Sequence, residues 1–192
     1  MSAEQFRQEI LPAGQPALLR GLAGEWPAVR AGRTSPAAMA DYLRGFATGA
    51  NVNLMTGDPS IGGRFFYNDD LTGRNFENQP VPFGCVLARL LDLLDAPAPP
   101  AVYAGSIPIP EHFPGFLRDN AIGLVEPKAP PNIWVGNRVT VQTHYDMSLN
   151  VACVVAGRRR FTLFPPEQLE NMYVGPFEFT LAGPPISMVR LE

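Results

Sequence analysis

Histidine and cysteine are both scarce in this chain, with two of each in 192 residues. Cys85 and Cys153 lie far apart, which excludes a disulfide framework or a cysteine-ligated zinc cluster and leaves each as a small buried apolar residue. Basic excess is also missing. Fifteen Lys and Arg stand against eighteen Asp and Glu, a formal charge of -3 with a pI near 5.4, so no general field for nucleic acid exists and no DNA partner is expected. Nor does any uninterrupted apolar run approach the length of a membrane span, and the opening MSAEQFRQEILPAGQ interleaves Glu4, Arg7 and Glu9 with its apolar residues. A cytoplasmic protein without membrane contact is the default expectation.

Proline and glycine, by contrast, are plentiful. The 21 prolines and 18 glycines are scattered, not gathered into low-complexity runs, which suits a loop-rich β architecture and argues against a helical bundle. The length allows one domain with a substantial core and is short for two. One domain over residues 1–192 is expected, with a helical and extended part at 1–100 and a β-rich core at 101–192.

Along the chain, QPALLRGL reads as an early strand or extended arm, closed by the turn-prone GLAGEWP. Thr34 or Ser35 followed by Pro36 is a helix start, because a hydroxyl caps free amides and proline fits the first turn. The helix SPAAMADYLRGFA then carries Met39, Tyr42, Leu43 and Phe46 at packing spacing. NVNLMTG and GRFFYN read as short strands and NDDLTGRN as a polar turn. FGCVLARLLDLLD is a second helix, with Val86, Leu87, Leu90, Leu91 and Leu94 on one face. After the linker-like APAPPA, strands follow closely: AVYAGSIPI, NIWVGN, RVTVQTHYD, LNVACVVAG and RRFTLFP, with Gly136-Asn137 and Ala156-Gly157 as turns. Helices first and strands afterwards imply a β-sheet or barrel core with helices outside.

One of those strands carries chemistry. The even-numbered residues from 140 to 150 are Thr140, Gln142, His144, Asp146, Ser148 and Asn150, all polar, whereas their odd-numbered neighbours are mostly apolar. In extended backbone His144 and Asp146 therefore share a face, where an imidazole and a carboxylate can grip one metal ion. A polar stripe is also what a half-exposed antiparallel strand shows. The next strand, Leu149 to Val155, is apolar on both faces, implying a covered sheet whose polar stripe points into an interior or cleft.

The phrases IWVGNRVTVQTHYD and LNVACVVAGRRRFTLFPPEQ, with QPALLRGLAGEWPAV and RFFYNDDLTGRNFEN before them, resemble the cupin-like JmjC family. Its members are iron(II)- and 2-oxoglutarate-dependent oxygenases related to the asparaginyl hydroxylase called factor inhibiting HIF. The resemblance implies a double-stranded β-helix, or jelly roll, mostly β with flanking helices. It implies that His144 and Asp146 are catalytic metal ligands for iron(II), two of a two-histidine, one-carboxylate set. It further implies that Tyr103 and Asn150 line the 2-oxoglutarate pocket and that Arg159, where the family usually has lysine, anchors the far carboxylate of this cosubstrate. Arginine presents a planar fork where lysine presents a point charge. Arg159 shares a face with Phe161 and Leu163, away from Arg158 and Arg160.

The family's third ligand is a histidine downstream of the pair, and none follows Asp146 here. The only other one, His112, lies upstream in PEHFPGF, which reads as a surface loop. With PPISMVRLE as its last, alternating segment, the chain is expected to be the N-terminal portion of a longer oxygenase, with an incomplete barrel. Substrate would be a protein or small molecule, and a homodimer is possible in such a fold. A non-catalytic cupin-like module that binds a partner without turnover is the competing class, and a metal cupin that does not use 2-oxoglutarate is a third.

Overall fold

The computed structural model describes residues 1–124, 130–181 and 183–190. Its centre is a four-stranded antiparallel sheet of β1 (Asn51–Gly57), β2 (Glu77–Pro82), β3 (Ala101–Pro108) and β4 (Asn132–Gly136), in the order β2-β1-β3-β4. Alternation along the strands gives the sheet two different faces. Val52, Leu54, Val102 and Ala104 point to one side and are buried with Phe83, Val86, Leu87, Leu43, Phe113 and Phe116. Met55 and Tyr103, paired across β1 and β3, point to the other, toward Phe65, Phe76, Ala101 and Ile186.

Helices cover the first face. Of the five α-helices described, α1 (Ala3–Gln5) buries none of its residues, whereas α2 (Pro27–Thr34), α3 (Pro36–Arg44), α4 (Phe83–Asp92) and α5 (Ile109–His112) all contribute to the core on this side. The start of α3 is as the sequence predicts: the Ser35 hydroxyl accepts from the Ala38 amide at 3.0 Å and Pro36 takes the first position. Met39, Tyr42, Leu43 and Phe46 all pack on the core, and α4 lays Val86, Leu87, Leu90 and Leu91 against the same cluster while Leu94 stays exposed. Fully burying a side chain such as Leu43, Val86 or Leu87 contributes about 1.5–3 kcal/mol, and the partly buried ones contribute less. Phe83 and Phe113 meet edge to face with ring centroids 4.7 Å apart. One buried polar group links three elements: Asn120 accepts from the Ala28 amide of α2 and donates to the Tyr42 hydroxyl of α3 and to the Phe116 carbonyl.

Several elements differ from the sequence reading. QPALLRGL is a run of turns and irregular backbone, not a strand, and α2 follows directly after Trp26. β2 was not expected, because ENQPVP carries two prolines; as an edge strand it has no partner on one side among the described residues and tolerates a residue that cannot donate. GRFFYN forms only bridges, Arg64 with Thr140 and Tyr67 with Arg74, flanking the expected turn at NDDLTGRN. Cys85 is exposed on α4 and Cys153 half-buried, so neither is the buried apolar residue expected.

The largest difference follows β4. RVTVQTHYD, LNVACVVAG and RRFTLFP form no strand; the described backbone from 137 to 165 holds isolated bridges at Thr140 and His144. A strand exists only when a neighbour accepts its backbone hydrogen bonds, and among the described residues no ladder forms beside this stretch. Leu149, expected in a sheet covered on both sides, is 82% exposed. The architecture is therefore a four-stranded antiparallel sheet with flanking helices, of jelly-roll type, in which the sheet is not closed. Leu191 and Glu192 of the final segment lie outside the described residues.

Candidate functional site

His144 is held by residues from the far end of the chain. It bridges Ile186, the Ser187 amide donates to the Thr143 carbonyl at 2.8 Å, and the Gln142 side-chain amide donates to the carbonyls of Ser187 and Val189 at 2.8 and 2.6 Å. Ser187 is buried, and its hydroxyl donates to the Met172 carbonyl at 2.6 Å. Gln142 thus clamps the strand-like run that carries the histidine, a role its place in the polar stripe did not reveal.

The ring of His144 has one defined orientation. Its Nδ1 lies 2.8 Å from the Gln142 carbonyl, an acceptor only, so Nδ1 is the nitrogen engaged with the backbone and Nε2 is turned away from that bond. Nε2 faces Asp146, at 3.8 Å from Oδ1. Two ligands each about 2.1 Å from one divalent ion can stand up to about 4.2 Å apart, so this pair can reach the same ion. The second oxygen of Asp146, Oδ2, accepts from the Asn150 side-chain amide at 2.8 Å. A carbonyl behind the imidazole and an amide behind the carboxylate are the supports that metal ligands generally need. Both side chains remain open to solvent, 31% and 51% exposed. Among the described residues no group of three or more His, Cys, Asp or Glu side chains converges.

A second group forms on the sheet. Tyr103 lies on β3 opposite Met55 of β1 and Gly136 of β4, 6.2 Å from the Phe65 ring. Burial pushes its phenol above the ordinary tyrosine range, and the positive charge of the Arg159 guanidinium pulls the other way. Arg159 is exposed and rests its guanidinium 5.3 Å from the Phe161 ring centroid. It reaches Tyr103 because the turn at Ala156-Gly157 seats on α2, where Gly32 leaves no room for a Cβ beside the Val155 carbonyl, and because Val155 packs on the core.

Five site residues singled out in the sequence thus fall into two groups, His144, Asp146 and Asn150 in one, Tyr103 and Arg159 in the other. Asn150 touches the carboxylate of Asp146 and makes no hydrogen bond to Tyr103 or Arg159. His112 belongs to neither. It ends helix α5, not a surface loop, with Nδ1 and Nε2 facing the carbonyls of Pro108 and Asn51 at 3.2 and 3.3 Å.

Residues 2–192 match the family model described as the cupin-like domain. The chain belongs to that family. This cupin-like chain is similar to Jumonji C domain-containing protein 5 of Drosophila melanogaster, 26% identical over the whole chain and 46% of that relative. It is also similar to JmjC domain-containing protein D of Dictyostelium discoideum, 24% identical over 90% of the chain and 40% of the relative. The cupin-like chain therefore spans less than half the length of these two proteins, and its likeness to both supports a cupin-like JmjC assignment. No helix among the described residues is long and apolar enough to cross a membrane.

Proposed function

We propose that this chain carries part of the site of an iron(II)- and 2-oxoglutarate-dependent oxygenase of the cupin-like JmjC type, a hydroxylase related to factor inhibiting HIF. The observation that carries the reading is the orientation of His144, whose Nδ1 is engaged by the Gln142 carbonyl and whose Nε2 faces the Asp146 carboxylate at 3.8 Å, close enough for both to meet one ion. His144 and Asp146 would hold the metal, with Gln142 and Asn150 orienting them. A bound iron(II) would supply the activation of dioxygen, one oxygen atom of which enters a substrate C–H bond as a hydroxyl while the other enters the succinate formed as 2-oxoglutarate loses carbon dioxide.

The chain's own residues do the binding and orienting. Arg159 presents a guanidinium fork to the distal carboxylate of the 2-oxo acid, a charge-assisted contact stronger than one from a neutral donor. The Tyr103 hydroxyl, whose burial favours the protonated form, can donate to the same carboxylate. Substrate in this reading is a protein side chain or a small molecule, not DNA.

The competing reading is a cupin-like binding module without turnover, favoured by the lack of a third converging ligand among the described residues. Succinate formation by the purified chain with iron(II), ascorbate and 2-oxoglutarate, against an Asp146→Ala control, separates oxygenase turnover from a site that needs more than this chain. Mn(II) binding followed by electron paramagnetic resonance tests the pair itself: the oxygenase reading expects binding that His144→Ala and Asp146→Ala abolish. Binding unchanged in both variants would remove the metal site from these residues.

A further inference from the structure

The middle of β3 holds a glycine, Gly105, and the residue facing Tyr103 across β4 is another, Gly136. Neither has a left-handed φ. What they provide is space. A Cβ built on Gly105 would stand 2.7 Å from Tyr103 Cε1 and 3.0 Å from both Tyr103 Cζ and Trp134 Cδ1. A Cβ on Gly136 would stand 2.8 Å from Tyr103 Cδ2 and 2.8 Å from the Val102 carbonyl oxygen. The phenol ring therefore lies down along the sheet over two positions without side chains, where an ordinary strand residue would hold it upright.

We propose that Gly105 and Gly136 are positioning residues for the Tyr103 hydroxyl, forming a cradle that holds the phenol ring down along the sheet. The atoms that a side chain at Gly105 would strike, Cε1 and Cζ, are those nearest the hydroxyl, so a push there moves the hydroxyl itself. Gly136 sits beneath the other edge of the ring and leaves the room that edge needs to lie over β4. Trp134, 48% exposed, closes the side of the cradle at Gly105 and leaves the mouth open to solvent. The link to 2-oxoglutarate binding rests on the functional reading above; the cradle itself rests on the packing.

A double-mutant cycle on the whole chain tests it, using Gly105→Ala, Tyr103→Ala and the two together, with stability from urea unfolding. The clash at Gly105 is mainly with the ring, so Gly105→Ala should destabilise the wild-type chain and cost little once Tyr103 is alanine. Equal costs in both backgrounds overturn the cradle, as does a double variant that fails to fold. A single variant that fails to fold beside a folded double supports it.

The second readout is calorimetric titration of 2-oxoglutarate with excess Mn(II) present. Gly105→Ala and Tyr103→Phe should each weaken binding by about tenfold, the loss of one hydrogen bond to a charged group. The double variant should lose no more than either alone. Full affinity in Gly105→Ala, with Tyr103→Phe impaired, overturns the positioning role. If the wild-type chain takes up no 2-oxoglutarate, the oxygenase reading fails, and the cradle is then decided by the unfolding cycle.

Discussion

From α2 to β4 the chain buries its large apolar side chains between a sheet and helices, while the stretch from 139 to 179 leaves many of its own in water. Phe83, Val86, Val102 and Phe113 are sealed; Met147 is 91% exposed, and Leu149, Phe161, Leu163 and Phe177 are all open. Hydrophobic content does not separate the two regions. The difference lies in partners. In the first, each strand has a neighbour in register, and the helices pack their apolar sides on the sheet or on one another around one core. In the second, anchoring is by separate contacts: Gln142 to the backbone of Ser187 and Val189, Tyr67 to the Phe179 carbonyl and Arg74 to the Thr180 carbonyl. The proposed metal ligands lie in this loosely anchored region, and Tyr103 lies in the packed one, so the site spans both regimes.

Core truncation gives the largest contrast. Phe113→Ala should cost about 3–5 kcal/mol, whereas Met147→Ala and Leu163→Ala should stay within about 0.5 kcal/mol. Urea unfolding of the three variants measures this, and comparable losses would erase the distinction between the regions. Next is the buried hub: Asn120→Ala strands the Ala28 amide and the Phe116 carbonyl, for about 1–3 kcal/mol each, read in the same experiment.

Local stability should follow the same division. Backbone amides of β1 and β3 should exchange slowly with deuterium and those of residues 145–165 rapidly, because the latter have few internal acceptors. Trypsin should cut first at Arg158, Arg159 or Arg160, as mass spectrometry would show. First cleavage at Arg44 or Arg89 would contradict the comparison.

Two smaller effects sharpen it. Asn150→Ala removes the donor behind Asp146 and should weaken Mn(II) binding about tenfold, the usual scale for such a support. An unchanged affinity would mean that Asn150 does not orient the carboxylate. Cysteine reactivity should run against local order. Cys85, exposed on a well-formed helix, should be alkylated before Cys153, whose burial pushes its thiol pKa up and keeps it protonated to higher pH. The gap should narrow as pH rises, when Cys153 ionises too. Earlier modification of Cys153 at neutral pH would show that its segment opens readily.

Much of the packed region was legible. The Ser35-Pro36 start, the spacing in α3 and α4 and the strands NVNLMTG, AVYAGSIPI and NIWVGN all carry local signals, namely capping, helical period and β-branched runs between turns. β2 was not, since proline argues against a strand unless its edge position is known. Gly105 could have been suspected, because an isolated glycine inside a strand pattern marks a close approach, yet nothing local says what approaches.

The sequence by itself determined the pairing of His144 with Asp146, because two residues in extended backbone share a side whether or not a ladder forms. It also determined the helices on one face of the sheet, since a 3.6-residue apolar period has to be buried against something. Only the tertiary structure decided which nitrogen of His144 faces Asp146, that Asn150 supports Asp146, that the charge of Arg159 lies near Tyr103 and that, among the described residues, the apolar runs after β4 form no ladder. Each of these depends on a partner distant in sequence or on a hydrogen-bond geometry, and residue order alone does not encode which carbonyl or which ring comes within reach.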